Sequence, residues 1–236
     1  MGLVLAVLGA GGSIFIVPVL IYLLHSPPSE ATGTSLLIVG SAAIAAAFGH
    51  FRRGNIAGKV ALLFGAASVV GAMGGSALHA LVQPRTLTAL FAVILFVAAA
   101  RMVWGAPVDP KEAPEARPAL LLPLGAGIGV LSGFLGVGGG FLIVPALSWG
   151  ARLPVRQAIG TSLVVIAASS LAGAVGHALQ GAMTVGLLAT VGLGAVIGAL
   201  AGAPLSGKLP EKPLRLGFAG LAVIVGAYML FQAIRG

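Results

Sequence analysis

The chain has 236 residues, of which 58% are hydrophobic and 8% are charged. A soluble domain carries roughly a quarter charged residues, so this chain has too few polar groups to cover a surface that faces water. The sequence has no cysteine, which excludes disulfides and thiolate metal sites. Its net charge of +8 comes from residues scattered between apolar runs, which argues against the basic stripe of a nucleic-acid-binding domain.

Apolar runs of about 20 residues follow one another along the chain, and this pattern predicts an all-α polytopic membrane protein. The predicted segments are residues 2–24, 33–50, 58–81, 86–104, 119–149, 160–178, 183–206 and 213–234. The polar stretch 105–118 is rich in proline and charge, and it is predicted to be a solvated linker. It separates a first repeat, residues 1–104, from a second repeat, residues 119–236.

The two halves carry the same motifs at the same spacing. A shift of 127 residues places LGAGGSIFIVPVL (8–20) on LGVGGGFLIVPAL (135–147). The same shift places ATGTSL (31–36) on AIGTSL (158–163), without a gap between the two motifs. The chain is therefore an internal duplication.

The first apolar run of each half is interrupted by a cluster of glycines. Glycine is less favourable than alanine inside a helix by about 1 kcal/mol, so such a cluster predicts a break. A continuous helix over residues 119–149 would be about 46 Å long, whereas the hydrocarbon core of a membrane is ~30 Å thick. The run therefore either tilts strongly or folds back as two half-length helices.

The positions of lysine and arginine distinguish these alternatives. If the first run of each half crossed the membrane, the 13 basic residues would divide 7 to 6 between the two faces. If it folds back, the halves are inverted and the split is 11 to 2, as the positive-inside rule requires. The larger group is Arg52, Arg53, Lys59, Arg101, Lys111, Arg117, Arg152, Arg156, Lys208, Lys212 and Arg215, with Arg85 and Arg235 opposite. We therefore expect two inverted repeats, each with a re-entrant helix hairpin and three transmembrane helices, joined by a cytoplasmic linker.

A pair of broken helices is the best sequence indication of the binding site in a secondary transporter. Backbone N–H groups at the start of each second arm would bind an anion near the membrane midplane, and the hydroxyls of each GTS motif would add donors. The candidate substrate-binding residues are Gly11, Gly12, Ser13, Thr34, Ser35, Gly138, Gly139, Gly140, Thr161 and Ser162. Two simpler interpretations stay open: the glycines allow close helix packing, and Thr34 and Thr161 are N-caps.

Three titratable residues lie close to these motifs. His50 and His177 end the second run of each half, where they would carry a proton or gate the path, or else reach out to water at the helix end. Glu30 is the one carboxylate near the predicted cavity. Because acidic residues are so few, neither a metal site nor a sodium site built on carboxylates is predicted. No catalytic triad or HExxH motif indicates an enzyme.

The sequence GFLGVGGGFLIVPAL followed by AIGTSL, repeated in degenerate form as LGAGGSIFIVPVL and ATGTSL, resembles the TauE/SafE family of bacterial sulfite and organosulfonate exporters. The resemblance covers essentially the whole chain and implies export of a small sulfur oxyanion, such as sulfite or sulfoacetate, across the bacterial cytoplasmic membrane. The family's glycine and TS motifs match at both copies. The departures are Ser13 in place of the last glycine and a short amino terminus.

We expect a multi-pass inner-membrane transporter that exports such an anion by alternating access. A channel-like anion facilitator is the first alternative, and a structural membrane subunit or a membrane enzyme comes after it. The expected partners are the anion, the lipid bilayer and, as one option, a second copy of the chain. We expect no cofactor and no nucleic acid.

Overall fold

The computed structural model describes residues 1–9, 16, 20, 28–79, 84–104, 117–135, 140–179 and 188–235. Within these ranges the regular structure is helical, as the apolar runs predict. The helices are α1 (Gly2–Leu8), α2 (Pro28–Phe51), α3 (Gly58–His79), α4 (Pro84–Trp104), α5 (Pro118–Leu135), α6 (Gly140–Pro145), α7 (Val155–Leu179), α8 (Leu193–Lys208) and α9 (Glu211–Arg235). Two π-helical turns adjoin them, Ala146–Gly150 after α6 and Leu188–Gly192 before α8.

Several of these helices are long and apolar enough to cross a membrane. Among the described residues four windows meet that condition: Thr34–Phe51, Val155–Ala172, Ala189–Ser206 and Glu211–Phe231. Large apolar side chains also point outward, and Leu62, Val70 and Met73 on α3 are each more than 70% exposed. A surface of this kind is favourable against lipid and unfavourable in water, so the protein is a multi-pass membrane protein.

Two pairs of equivalent helices begin at the same place in the repeat. Helix α2 begins at Pro28 and α7 begins at Val155, and these positions are 127 residues apart. Helix α4 begins at Pro84 and α9 begins at Glu211, again 127 residues apart. The duplication seen in the sequence therefore extends to the helix boundaries.

Helices α2 and α7 pack side by side in the core and run in opposite directions. A Cβ atom on Gly40, in the middle of α2, would lie 3.4 Å from the Cβ atom of Ser170, in the middle of α7. A Cβ atom on Gly160, near the start of α7, would lie 3.1 Å from the Cβ atom of His50, near the end of α2. The end of one helix therefore lies beside the start of its counterpart.

Helices α4 and α9 repeat this arrangement. The Nε atom of Arg215, near the start of α9, donates a hydrogen bond of 2.8 Å to the carbonyl of Met102, near the end of α4. Further along, a Cβ atom on Gly226 would lie 3.4 Å from the carbonyl oxygen of Ala92. These two pairs of equivalent helices are thus antiparallel.

Two further close contacts join the first helix of one half to a helix of the other half. Gly2 of α1 packs against the carbonyl of Ala195 in α8, and Gly129 of α5 packs against the carbonyl of Ser68 in α3. The two contacts are equivalent under the 127-residue shift, because Gly2 corresponds to Gly129 and Ala195 corresponds to Ser68. Each half therefore supports the first element of the other half at the same site.

The first segment of the second half folds back on itself. A Cβ atom on Gly150 would lie 2.6 Å from a methyl carbon of Leu124, near the start of α5. In a continuous helix these two residues would be about 39 Å apart. The structure therefore excludes the single long tilted helix over 119–149 and favours the fold-back.

Four contacts bring the basic residues to one end of the helix bundle. Arg53 donates to the carbonyl of Ala203, and Arg156 donates to the carbonyl of Leu209. Arg101 stacks on the Trp149 ring at 4.4 Å, and Arg215 binds Met102 as described. We call this the basic end, and its members are Arg52, Arg53, Lys59, Arg101, Arg117, Arg152, Arg156, Lys208, Lys212 and Arg215. The backbones of Arg85 and Arg235 lie at the opposite ends of α4 and α9.

Candidate functional site

The carboxyl end of α1 is a helix end buried inside the protein. Gly9 ends the helix with φ of 80°, in the left-handed region, and its N–H donates to the carbonyl of Leu5. The last four carbonyls of a helix have no partner within the helix. Inside a protein these carbonyls must find donors elsewhere.

Three buried side chains from three different helices meet these carbonyls. His50 of α2 contacts the carbonyl of Ala6 through Nε2 at 3.2 Å. Ser206 of α8 donates to the carbonyl of Val7 at 3.4 Å, and Ser162 of α7 donates to the carbonyl of Gly9 at 3.1 Å. Because a carbonyl can only accept, Nε2 carries the hydrogen of the His50 ring in this geometry. We call these three donors and the end of α1 the latch.

The neighbouring hydroxyl of the second GTS motif also binds backbone. Thr161 accepts a hydrogen bond of 3.0 Å from the N–H of Ala57, in the loop between α2 and α3. Ser162 shares its hydrogen with the carbonyl of Ile159 at 2.8 Å. The motif therefore ties α7 to two other segments in this conformation.

The N-cap interpretation of the GTS motifs is wrong. Helix α2 begins at Pro28 and α7 begins at Val155, so Thr34 and Thr161 are each the seventh residue of their helix. Proline is favoured at the first helical position because its missing N–H is not needed there, and this moves the start of α2 ahead of the apolar run.

The structure does not bring the two GTS motifs together. Thr34 and Ser35 are buried in α2, as Thr161 and Ser162 are in α7. The contact of Gly40 with Ser170 fixes the register of these antiparallel helices. Ser35 and Ser162 are then about 20 Å apart along the bundle, so one small anion cannot touch both motifs in this conformation.

The glycine clusters lie largely outside the described residues. Gly11, Gly12, Ser13, Gly138 and Gly139 fall there, and their role in binding stays a prediction. Gly140, Glu30 and His177 lie in α6, in the first turn of α2 and in the last turn of α7 respectively, and the structure describes their backbone alone. Among the described residues no cluster of His, Cys, Asp and Glu could hold a metal ion.

His50 does not reach out to water, contrary to the simpler interpretation. Its side chain is 1% exposed, because α1 and α7 cover it. Its second ring nitrogen, Nδ1, is buried and has no hydrogen-bond partner. His50 is therefore part of the interior of the protein.

Two residues of this region were missed by sequence reasoning. Ser206 is a buried polar residue in an apolar helix, and it falls on His79 under the 127-residue shift. A polar residue at the same repeat position in both halves was the signal available. Arg156 has a buried Nε atom without a partner, and nothing in its sequence context separates it from the other basic residues of the loops.

Comparison with known proteins agrees with a multi-pass membrane protein. Residues 1–229 match the family described as sulfite exporter TauE/SafE. The chain is 30% identical over 236 residues to the probable membrane transporter protein YdhB of Bacillus subtilis (strain 168), covering 98% of this chain and 96% of the relative. It is 30% identical over 239 residues to a probable membrane transporter protein of Xylella fastidiosa (strain Temecula1), with 98% and 92% covered.

No solved structure matches the chain. The family match nevertheless spans nearly the full length, including both copies of the glycine and GTS motifs. This protein belongs to the sulfite exporter TauE/SafE family.

Proposed function

We propose that the protein is a secondary transporter that carries a small sulfur-containing oxyanion, such as sulfite or an organosulfonate, out of the cell by alternating access. The observation that carries the proposal is the antiparallel packing of α2 on its own counterpart α7, beside the broken end of α1. The family name supports a sulfur oxyanion as the substrate, and the names of the relatives support transport.

The antiparallel pairs support two inverted repeats. Two copies of one sequence can pack with equivalent helices antiparallel if a two-fold axis relates them at right angles to the helices. For helices that cross a membrane, such an axis lies in the membrane plane, as it does in many secondary transporters. The exchanged contacts, Gly2 with Ala195 and Gly129 with Ser68, obey the same operation.

An inverted pair gives a physical route to alternating access. The two halves have nearly the same sequence pattern and can exchange conformations, so that what is closed on one side is open on the other. The latch closes the protein at the basic end. His50 and Ser206, which hold the carboxyl end of α1, lie in the last turns of their helices. In the exchanged state the equivalent region around Ser35 and His177 would close instead.

Purified protein in liposomes tests the transport function. We expect uptake of radiolabelled sulfite or sulfoacetate, and faster uptake when the same anion is loaded inside, because counterflow is a property of alternating access. Substitution Gly139→Leu should abolish flux if the glycine break lies on the path. Gly194→Leu is the matched control, since a Cβ atom on Gly194 would meet nothing within 4 Å.

Flux without counterflow would favour the channel-like facilitator over the transporter. An absence of both flux and any anion-dependent thermal shift, for sulfite, sulfoacetate and sulfate alike, would contradict transport itself.

A further inference from the structure

Two buried polar atoms in the described part of the chain have no hydrogen-bond partner, and both lie at the basic end. One is Nδ1 of His50 and the other is Nε of Arg156. A buried polar atom without a partner is unfavourable, and proteins rarely keep one unless a ligand or water completes it. Both atoms belong to the same end of two helices that pack on each other, so one ligand bound between the helices would complete both.

The two side chains lie on facing surfaces of α2 and α7. Gly160 faces His50, because its Cβ atom would lie 3.1 Å from the Cβ atom of that residue. Arg156 is four residues before Gly160 on the same helix, and residues four apart share a helix face. The bond from Nη2 of Arg156 to the carbonyl of Leu209, at 2.8 Å, holds the guanidinium in place and leaves Nε–H available.

The charges around this position are almost all positive. Helix α1 contributes no charged side chain along Gly2–Leu8. At this end of the helices that pack on α2, the charged residues are Arg156 of α7 and Lys208 of α8, and Arg52 and Arg53 follow His50 itself, whereas Glu30 lies at the other end of α2. Glu211, at the start of α9, is the acidic side chain described at this end. The excess of positive charge favours an anion.

We propose that His50 and Arg156 form a binding site for a small oxyanion at the basic end, and that the anion binds together with a proton on Nδ1 of His50. The identity of the anion rests on the proposed function, whereas the existence of the site does not. Nε–H of Arg156 donates one hydrogen bond to the anion. The second comes from Nδ1–H of His50.

The hydrogen bond that His50 makes in the latch explains why anion binding needs a proton on Nδ1. Nε2–H of His50 is committed to the carbonyl of Ala6, so a neutral ring has a lone pair at Nδ1 and repels an anion. Adding a proton at Nδ1 creates a second donor and a positive charge. That charge is also favourable beside the carboxyl end of α1, where the helix dipole is negative.

The site connects anion binding to the moving part of the proposed transport cycle. The imidazole ring of His50 would bind the anion through Nδ1, and the same ring holds the end of α1 through Nε2. A monoanion carried with one proton moves no net charge, so the membrane potential would not drive its flux. The direction of net flux would follow the gradients of the anion and of pH.

Binding measurements on the purified full-length protein test the site. We expect sulfoacetate, whose own charge does not change between pH 6 and pH 8, to bind more tightly at pH 6 than at pH 8, with uptake of about one proton per anion, because protonation of His50 accompanies binding. His50→Gln keeps an N–H for Ala6 but cannot titrate, and it should weaken binding at pH 6 by about tenfold and remove the pH dependence. Arg156→Gln should weaken binding by a similar factor at both pH values.

Two further variants control for charge. Arg101→Gln removes one positive charge from the same end, at an exposed residue stacked on Trp149, and should change affinity less than threefold, since exposed charges are screened. Glu211→Gln should leave the pH dependence in place. Each variant must elute as a single species before binding is measured, and Arg156→Lys replaces Arg156→Gln if the latter does not fold.

The sources of the oxyanion are separated by repeating the measurement with and without anionic lipid. Competition between phosphatidylglycerol and sulfoacetate at wild-type protein, lost in Arg156→Gln, would assign the site to a lipid headgroup and overturn the proposal for the free anion. Equal losses in Arg101→Gln and Arg156→Gln would overturn the site, leaving a bridging water between the two atoms. Anion binding that depends on both residues in a protein without flux would retain the site and overturn the transport function.

Discussion

At the scale of single residues, Gly9 sets the end of α1. Its φ of 80° is a conformation that residues with a side chain rarely adopt. A Cβ atom there would lie 2.9 Å from both Oγ of Ser162 and a methyl carbon of Val144. Backbone conformation and space therefore both require glycine.

Substitution Gly9→Ala should lower stability by about 2 kcal/mol or more, through the left-handed strain and the contact with Ser162. The measurement is the free energy of unfolding by dodecyl sulfate in mixed micelles. Gly74→Ala is the control, since a Cβ atom on Gly74 in α3 would meet nothing within 4 Å. A Gly9→Ala protein as stable as Gly74→Ala would contradict this account of the helix end.

Ser162→Ala should destabilise the protein by about 1–3 kcal/mol, because the buried carbonyl of Gly9 loses its donor. Ser169→Ala provides a matched comparison about two turns further along α7. Its hydroxyl donates to the carbonyl of Ile166 within the same helix, so its removal should change stability by less than about 0.5 kcal/mol. Unfolding curves of both variants, measured side by side, check the difference.

Residue roles were predictable from the sequence in part. The glycine at the end of α1 followed from the low helix propensity of its cluster. The cap role of Thr34 and Thr161 was wrong, because hydropathy marks the apolar part of a helix and not its first residue. The burial of His50 depends on α1, which is distant in sequence, and no local pattern reports such a contact.

At the scale of elements, the antiparallel packing of α2 on α7 can be tested by cross-linking. The chain has no native cysteine, so introduced pairs have no background. Gly40→Cys with Ser170→Cys should form a disulfide, since their Cβ atoms would be 3.4 Å apart and disulfides need about 3.5–4.5 Å. A protease site inserted into the linker 105–118 reveals the bond, because cross-linked halves stay together on a denaturing gel.

The control pair is Gly40→Cys with Ser169→Cys. One residue turns the side chain by about 100° around the helix, so this pair should separate after cleavage. Cross-linking of the control and not of the first pair would contradict the register of α2 against α7.

The helices themselves were largely predictable, because long apolar runs separated by polar residues permit few other structures in a membrane. The run 86–104 corresponds to α4 within two residues, and 213–234 corresponds to α9 in the same way. The π-helical turn Leu188–Gly192 was not predicted. Its sequence is as apolar as that of its neighbours, and packing against other helices decides such local geometry.

At the scale of the whole molecule, the distribution of basic residues predicts which end of the helix bundle faces the cytoplasm. Ten basic residues stand at one end of the bundle, and the positive-inside rule places such an end in the cytoplasm. A membrane-impermeant maleimide applied to intact cells should therefore label Arg235→Cys and not Lys208→Cys. Permeabilised cells should show both. Labelling of Lys208→Cys alone in intact cells would reverse the orientation.

The division of charge was readable from the sequence because loops keep their charges wherever the helices pack. The pairing of helices was not, since all of them are apolar on every face. Close contacts such as that of Gly2 with Ala195 depend on which small residues face each other, and this emerges only from the assembled bundle.

The exchange of first elements between the halves has a consequence for how such a chain could arise. Helix α1 packs on α8, and α5 packs on α3, so each half supplies the surface on which the first helix of the other half packs. A half-length chain would lack that surface unless a second half-length chain supplied it. We therefore expect two halves produced from separate genes to assemble into the complete protein. In the single chain, the linker would ensure that both halves are made in equal amounts.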